Sequence, residues 1–100
     1  MKEYTLCFSH LYKYHQLLKF RLLLSHGTLE TSLRAEGFDA HFPDKDIGVE
    51  RFVVRYAGDE NEAVNALERA GVRTRYVLIE EDGAVDIYVS LPEEAYFYGD

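Results

Sequence analysis

The stretch FVVRYAGDENEAVNALERAGVRTRY, residues 52–76, decides the fold. Its opening letters are β-branched and aromatic, and they predict a buried strand over residues 50–57. Asp59 and Glu62 then stand three residues apart, which is the spacing of a capping box at the start of a helix. Alanines and a leucine recur on one face after that point, so the pattern predicts an amphipathic helix over residues 58–71 that packs flat on a sheet.

The chain after this helix indicates two more strands. Gly71 has the position of the left-handed glycine that commonly ends a helix. The letters RTRYVLIE predict a strand over residues 73–80, and the letters AVDIYVS predict another over residues 84–90. Asp82 and Gly83 between them are a two-residue hairpin signal, so these two strands are expected to pair antiparallel.

An earlier stretch, FRLLLSHGTLETSLRAEGFDAHF at residues 20–42, repeats the same order of signals. Alternating apolar residues predict a strand over residues 17–24. A short helix follows, with Thr28 as its N-cap and Gly37 as the glycine that ends it. A short strand is then predicted over residues 38–42.

The two stretches share the pattern L-x-x-x-G-[FV]-x-x-x-[FY], and each is interpreted as a β-α-β unit. Neither unit can bury the apolar face of its helix alone, so the two are expected to form one four-stranded antiparallel sheet with two helices on one face. This predicts a single α+β domain, a ferredoxin-like βαββαβ sandwich with one or two additional antiparallel edge strands at residues 3–9 and 84–90. Residues 1–16 are predicted to form an N-terminal strand and connection. The two β-α-β units are predicted at residues 17–43 and 50–80, and a last strand with an acidic, aromatic tail at residues 84–100.

Residues 10–24 also admit a second interpretation as a helix. One apolar stripe at helical spacing would then be formed by Leu11, Tyr14, Leu18 and Leu22. Periodicity does not separate strand from helix in a short apolar run, so both interpretations remain open for this segment.

The segments SHGTLETSLRAEGFDAHF and DENEAVNALERAGVRTRY resemble the helix units of the ACT domain family, over roughly residues 17–80. That family has the βαββαβ fold and places one glycine just before its first helix and one after it, where Gly27 and Gly37 stand here. The resemblance implies a regulatory module that binds an amino acid or a similar small effector at a dimer interface. It further implies that the effector contacts the turn formed by His26, Gly27 and Thr28.

Charge is unevenly divided along the chain, whose net charge is −7. Residues 1–50 carry six Lys or Arg against seven Asp or Glu, whereas residues 51–100 carry five against eleven. A negative field of this kind repels a phosphate backbone, which disfavours direct nucleic-acid binding, and it favours encounter with a basic partner. Solubility alone is the other interpretation of the same charge.

We predict a binding surface that combines carboxylates with tyrosines. Tyr is a favoured interface anchor, and a rim of carboxylates would select a basic protein. The predicted contact residues lie in the hairpin and in the tail LPEEAYFYGD, and they are Glu80, Glu81, Asp82, Glu93, Glu94, Tyr96 and Tyr98.

The first hypothesis is therefore a non-enzymatic protein that binds or inhibits a basic protein partner, of which nucleic-acid-binding machinery is one class. Small acidic inhibitors encoded by phages, including anti-CRISPR proteins and other nucleic-acid mimics, have a similar profile. The alternative hypothesis is the ACT-like module that binds a small effector. Both hypotheses are compatible with a homodimer.

The sequence holds no motif for catalysis, for a cofactor or for a metal, so no residue is predicted for these roles. Cys7 lies in the strand phase opposite Tyr4 and Leu6, and we expect it to be a structural thiol. The four histidines have no spacing typical of a zinc site. The longest apolar run is far too short to span a membrane, and a cytoplasmic protein without membrane contact is expected.

Overall fold

The computed structural model describes residues 1–9, 11, 13–42 and 50–92. These residues form four strands and three helices. In chain order the elements are β1 (Lys2–Cys7), α1 (Tyr14–Ser25), α2 (Thr28–Ala35), β2 (Arg51–Tyr56), α3 (Glu60–Arg69), β3 (Arg73–Ile79) and β4 (Val85–Ser90). The predicted α+β class is confirmed.

The four strands form one mixed sheet in the order β2-β1-β4-β3. β1 pairs antiparallel with β2 and parallel with β4, and β3 and β4 pair antiparallel as the predicted hairpin. The sheet therefore differs from the all-antiparallel, ferredoxin-like arrangement at the β1–β4 pair. The strands predicted at residues 3–9 and 84–90 exist, but they are the two central strands rather than edge strands.

β1 and β4 are buried on both of their faces, which suits strands at the centre of a sheet. Neighbouring residues of a strand point to opposite faces, and Leu6 and Cys7 of β1 are both fully buried. Asp86 and Ile87 of β4 are likewise both buried. The edge strand β2 instead alternates buried and exposed residues over most of its length, because its second face is open.

The segment predicted as a strand over residues 17–24 belongs to the helix α1, so the strand prediction is wrong and the helical alternative is right. The buried side of α1 is formed by residues at four-residue intervals, Gln16, Phe20 and Leu24. The stripe predicted for the helical alternative is not the buried one, since its helical members are exposed, namely Tyr14, Leu18 and Leu22. Both interpretations gave the leucines to the core and overlooked a buried glutamine.

The helix predicted after Gly27 is present as α2, but its N-cap is Gly27 rather than Thr28. The strand predicted over residues 38–42 is reduced to one bridge beside β2. There Asp39 and Arg55 exchange backbone hydrogen bonds of 2.8 and 3.1 Å. The first predicted β-α-β unit is therefore wrong, because a helix replaces its first strand and a single bridge replaces its second.

The three elements predicted for the second unit are present in the predicted order, as β2, α3 and β3. The Glu62 backbone N–H donates to the Asp59 side chain at 2.9 Å, and the Asp59 N–H donates to the Glu62 side chain at 3.1 Å, which completes the predicted capping box. Ala63 and Ala66 are fully buried, and their small side chains let the helix lie close to the sheet. β2 and β3 lie at opposite edges, so this unit spans the whole sheet.

The repeated sequence pattern is a shared way of ending a helix rather than a duplicated unit. After α2, the Phe38 N–H donates to Leu33 O at 3.1 Å and the Gly37 N–H donates to Arg34 O at 3.0 Å. After α3, the equivalent bonds of 2.9 and 3.1 Å join Val72 to Leu67 and Gly71 to Glu68. Both ends are Schellman motifs, in which a glycine of positive φ lies between a buried leucine and a buried apolar residue.

The helices and alternate residues of the sheet share one apolar core. Phe8 and Phe20 stack inside it with their ring centroids 4.6 Å apart. Gln16 joins α1 to the residue that follows β4, because its Nε2 donates to Leu91 O at 2.7 Å and its Oε1 accepts from the Leu91 N–H at 3.1 Å. This contact fixes the helix relative to a central strand.

Candidate functional site

The predicted acidic hairpin residues lie together at the turn between β3 and β4. Glu80, Glu81 and Asp82 are exposed, and they line one wide, open depression of about 440 Å³. The Glu80 N–H donates to Ala84 O at 2.8 Å, and the Ala84 N–H donates to Asp82 Oδ1 at 3.0 Å. Gly83 has the positive φ, 87°, that suits a tight hairpin turn. The predicted hairpin is confirmed, but its loop has three residues rather than two, and the turn holds three carboxylates at the surface.

The sheet topology brings a second group of carboxylates to the same end of the sheet. β4 runs parallel to β1, with Val85 opposite Tyr4, so the turn lies at the end where β1 begins. β2 runs antiparallel to β1 and ends there too, with Tyr56 opposite Lys2, and α3 begins shortly after it. Strands lie about 4.8 Å apart, so the four strands span roughly 14 Å between β2 and β3. The two groups together are named the acidic end: Asp59, Glu60, Glu62, Glu80, Glu81 and Asp82.

The pKa of Tyr4 reflects the carboxylates at the start of α3. Burial is the largest cause that raises this pKa, and the negative charges of Glu60, Asp59 and Glu62 raise it further. The Lys2 ammonium lies 3.7 Å from Glu60 Oε2 and balances one of the three charges. This part of the acidic end therefore keeps an excess of negative charge.

Carboxylates are also crowded at the hairpin. A hydrogen bond to Asp86 is the largest cause that raises the pKa of Glu80, and burial and the charges of Asp86 and Asp82 add to it. Asp86 is buried, and its Oδ2 lies 3.3 Å from Arg51 Nη2. Arg51 pairs with the buried carboxylate of Asp86, and Glu81 and Asp82 remain exposed at the turn.

The carboxylates of the acidic end are not arranged as a metal centre. Across residues 1–9, 11, 13–42 and 50–92, no group of three or more His, Cys, Asp or Glu is placed to hold a metal ion. The depression at the hairpin is open and acidic rather than enclosed and apolar, which is unlike the usual pocket for a small molecule. This arrangement can attract a larger surface that carries positive charge.

Apolar side chains lie next to the acidic end, on the edge strand β3. Tyr76 and Leu78 share one face of β3 and are 51% and 44% exposed. Ile79 points to the other face, is 57% exposed and directly precedes the hairpin carboxylates. Tyr76 stacks on Tyr88 of β4, with ring centroids 4.5 Å apart, which restricts the motion of its ring. Sequence reasoning identified β3 as a strand but missed this surface, because the run of three apolar letters does not reveal that the strand lies at an edge.

The predicted contacts in the tail lie outside the described residues. They are Glu93, Glu94, Tyr96 and Tyr98, and their role stays a prediction. Of the predicted partner-binding set, the structure therefore places the three hairpin residues.

The residues predicted for effector binding, His26, Gly27 and Thr28, form the turn between α1 and α2. Gly27 follows a helix here, whereas the predicted fold has it follow a strand. A Cβ atom built on Gly27 would meet no atom within 4 Å among the described residues, so this turn is open on that side. Effector binding at the turn stays a prediction.

No protein-family model, curated protein or solved structure matches this chain. The resemblance to the ACT family therefore rests on the two sequence segments alone. None of the helices in the described ranges has the length and apolar character that crossing a membrane requires.

Proposed function

We propose that this chain is a non-enzymatic binding protein whose acidic end contacts a basic protein surface. The observation that supports the proposal is the convergence of two acidic segments, the β3–β4 turn and the start of α3, at one end of the sheet. The two segments are separate in sequence, yet roughly 14 Å of sheet joins them. One partner surface can therefore meet both.

The exposed apolar residues of β3 can add binding affinity, to which surface charge alone contributes little. Charged groups at an interface mainly raise the association rate and the specificity, whereas buried aromatic and aliphatic anchors carry much of the affinity. Tyr76 and Leu78 lie on the same face of β3, which leads into the carboxylates of the turn, and the ring of Tyr76 is already held by Tyr88. An anchor that is held before binding loses less side-chain entropy when the complex forms.

The proposed partner class follows from the sign of the charge. A nucleic-acid-binding protein presents clustered Lys and Arg that neutralise phosphates. The acidic end would occupy those side chains in place of the phosphates, and binding would then inhibit the partner. The same charge repels nucleic acid, so the proposal places the contact between two proteins.

The test compares two variants that carry the same net charge. The hairpin variant loses the carboxylates of the turn through Glu80→Gln, Glu81→Gln and Asp82→Asn. The matched control loses three carboxylates outside the acidic end through Glu36→Gln, Glu50→Gln and Glu68→Gln. The probe is a short fluorescein-labelled poly-L-lysine peptide, and its Kd is measured by fluorescence anisotropy at low and at physiological salt.

We expect the hairpin variant to bind the peptide about tenfold more weakly at low salt, since three surface charge contacts are together worth about 1.4 kcal/mol. The control is expected to stay within about twofold of the wild type. Equal weakening of both variants would mean that only net charge matters and would overturn the proposal. Capture from lysate with the same three proteins would then identify the natural partner as the one lost in the hairpin variant alone.

A further inference from the structure

β3 forms one outer edge of the sheet. It pairs with β4 on one side, and within the described part of the chain no strand pairs with its other side. The opposite edge, β2, is partly covered by the bridge between Asp39 and Arg55. We propose that a second copy of this chain occupies the β3 edge, with the two β3 strands antiparallel across a twofold axis.

The outward backbone groups of β3 follow from the hairpin bonds. The Glu80 N–H donates to Ala84 O at 2.8 Å, so this amide points toward β4. Backbone groups alternate in direction along an antiparallel strand, so those of Ile79 and Val77 point away from β4. A further strand would bind to these groups.

The first half of the β3 edge is protected against a further strand, and the second half is not. Arg73 places charge at the start of the strand, and a bulge between Thr74 and Tyr76 shifts the register of the first half against β4. Edge charges and bulges are two means by which proteins block pairing at an edge. Leu78 and Ile79 in the second half are uncharged and about half exposed. Pairing is therefore expected over residues 76–80.

The charges along β3 are complementary to those of a second, antiparallel copy. Arg75 precedes the apolar residues, and Glu81 follows them. A twofold axis at Leu78 places the two Leu78 side chains opposite each other and Val77 opposite Ile79. Just beyond the paired residues, the same axis brings Arg75 at the bulge of each copy near Glu81, the first residue of the turn, of the other. Cross-strand pairs of opposite charge are stabilising, and symmetry supplies two of them.

The commitment to a second copy rests on this order of charges. An unrelated strand would need the matching order by chance, whereas an identical antiparallel strand has it by symmetry. The inference does not depend on the proposed function. Glu81 takes part in both surfaces, so self-association and binding of a basic partner are expected to compete.

The test is sedimentation equilibrium of the wild-type chain at low salt, from about 1 µM to about 1 mM, where we expect a monomer–dimer equilibrium. Arg75→Glu and Glu81→Arg each place like charges opposite each other at two symmetric positions, and each should raise the dimer Kd about tenfold. The double variant restores opposite charges and should return the Kd to near the wild-type value. Asp39→Arg, at the other edge, makes the same charge change as Glu81→Arg and should leave the Kd unchanged.

A backbone variant tests the same edge without charge. Ile79→Pro removes an N–H that points away from β4, and an edge strand tolerates proline at such a position. We expect a monomer with the far-UV circular dichroism spectrum of the wild type. A dimer that persists in this variant would contradict the proposed pairing.

A wild-type chain that stays monomeric across the whole range overturns the proposal and leaves the edge to a strand of another protein. A double variant as weak as either single variant overturns it as well. The poly-L-lysine probe separates this proposal from the proposed function. Arg75→Glu keeps every carboxylate of the acidic end, so it should weaken the dimer without weakening peptide binding.

Discussion

Replacing Gln16 by leucine is expected to destabilise the protein more than exchanges at the exposed positions of α1. Gln16 is buried, and it bonds both backbone groups of Leu91 at 2.7 and 3.1 Å. Leu91 follows the central strand β4 and is itself buried. The substitution keeps a side chain of similar size but leaves the N–H and C=O of Leu91 without partners in a buried place.

The magnitude follows from these two groups. Each unsatisfied buried group costs about 1–3 kcal/mol, and the additional apolar burial of leucine offsets about 1 kcal/mol. The expected loss in the free energy of unfolding is therefore about 1–5 kcal/mol. For a domain of this length, each 1 kcal/mol lowers the melting temperature by about 4–8 °C, so we expect a fall of at least about 4 °C, and of about 12–24 °C at the middle of that range.

Urea unfolding followed by far-UV circular dichroism measures this loss, with tyrosine fluorescence as the second probe because the chain has no Trp. The midpoint should fall while the slope stays constant. Leu22→Gln exchanges the same residue types at an exposed position of α1 and should change stability by less than about 0.5 kcal/mol. A loss at Gln16 no larger than this control would refute the anchoring of α1 to the end of β4.

Three further predictions concern single residues. Asp59→Ala removes the capping box of α3 and should cost about 1–2 kcal/mol in thermal unfolding, whereas Asn61→Ala in the same exposed turn should be nearly neutral; equal effects would contradict the cap. The pKa of Glu80 is raised in the folded state, which therefore favours the protonated carboxyl. The stability that this protonation contributes is complete below the pKa of Glu in the unfolded chain, and it is lost as the pH rises through the raised pKa of the folded state. Glu80→Gln should therefore raise the melting temperature near about pH 7 and change it little near about pH 4, and a gain independent of pH would contradict this cause. Cys7 is fully buried and burial raises its pKa, so a disulfide reagent should label it in urea but hardly in the native protein, and rapid native labelling would show that the site is open.

The elements that the sequence predicted correctly are those with local signals at both ends. The helix α3 begins at a capping box and ends at a Schellman glycine, and each signal involves residues within one turn of the helix. The hairpin is equally local, since Asp82 and Gly83 belong to the turn itself. No distant contact is needed to interpret these patterns.

The sequence predictions are wrong where contacts between residues distant in the chain determine the structure. Gln16 is buried because the backbone of Leu91, which lies 75 residues away, satisfies its side-chain amide. A hydropathy pattern assigns glutamine to the surface, so the buried side of α1 could not be found from the sequence. The repeated pattern also predicts two equivalent units, whereas the structure shares only the helix ends at Gly37 and Gly71.

The candidate site also has one part that local sequence signals predict and another that depends on contacts between distant residues. The carboxylates of the turn were predictable, because a hairpin signal followed them directly. Their position at the same end of the sheet as Asp59, Glu60 and Glu62 depends on the parallel pairing of β1 with β4. No local sequence pattern predicts this pairing. The exposure of Leu78 and Ile79 depends on strand order in the same way.

The parallel pairing of β1 with β4 also has a consequence for how the chain reaches its native state. Tyr4 lies opposite Val85, so 81 residues separate partners at the centre of the sheet. Contacts this far apart require the closure of a long loop, and domains dominated by such contacts fold slowly. On the ribosome β1, β2 and β3 emerge before β4, and until β4 inserts, β3 has no strand that links it to β1. The rate of folding should therefore be set by one late insertion, and substitutions in β4 should slow refolding more than substitutions in β2.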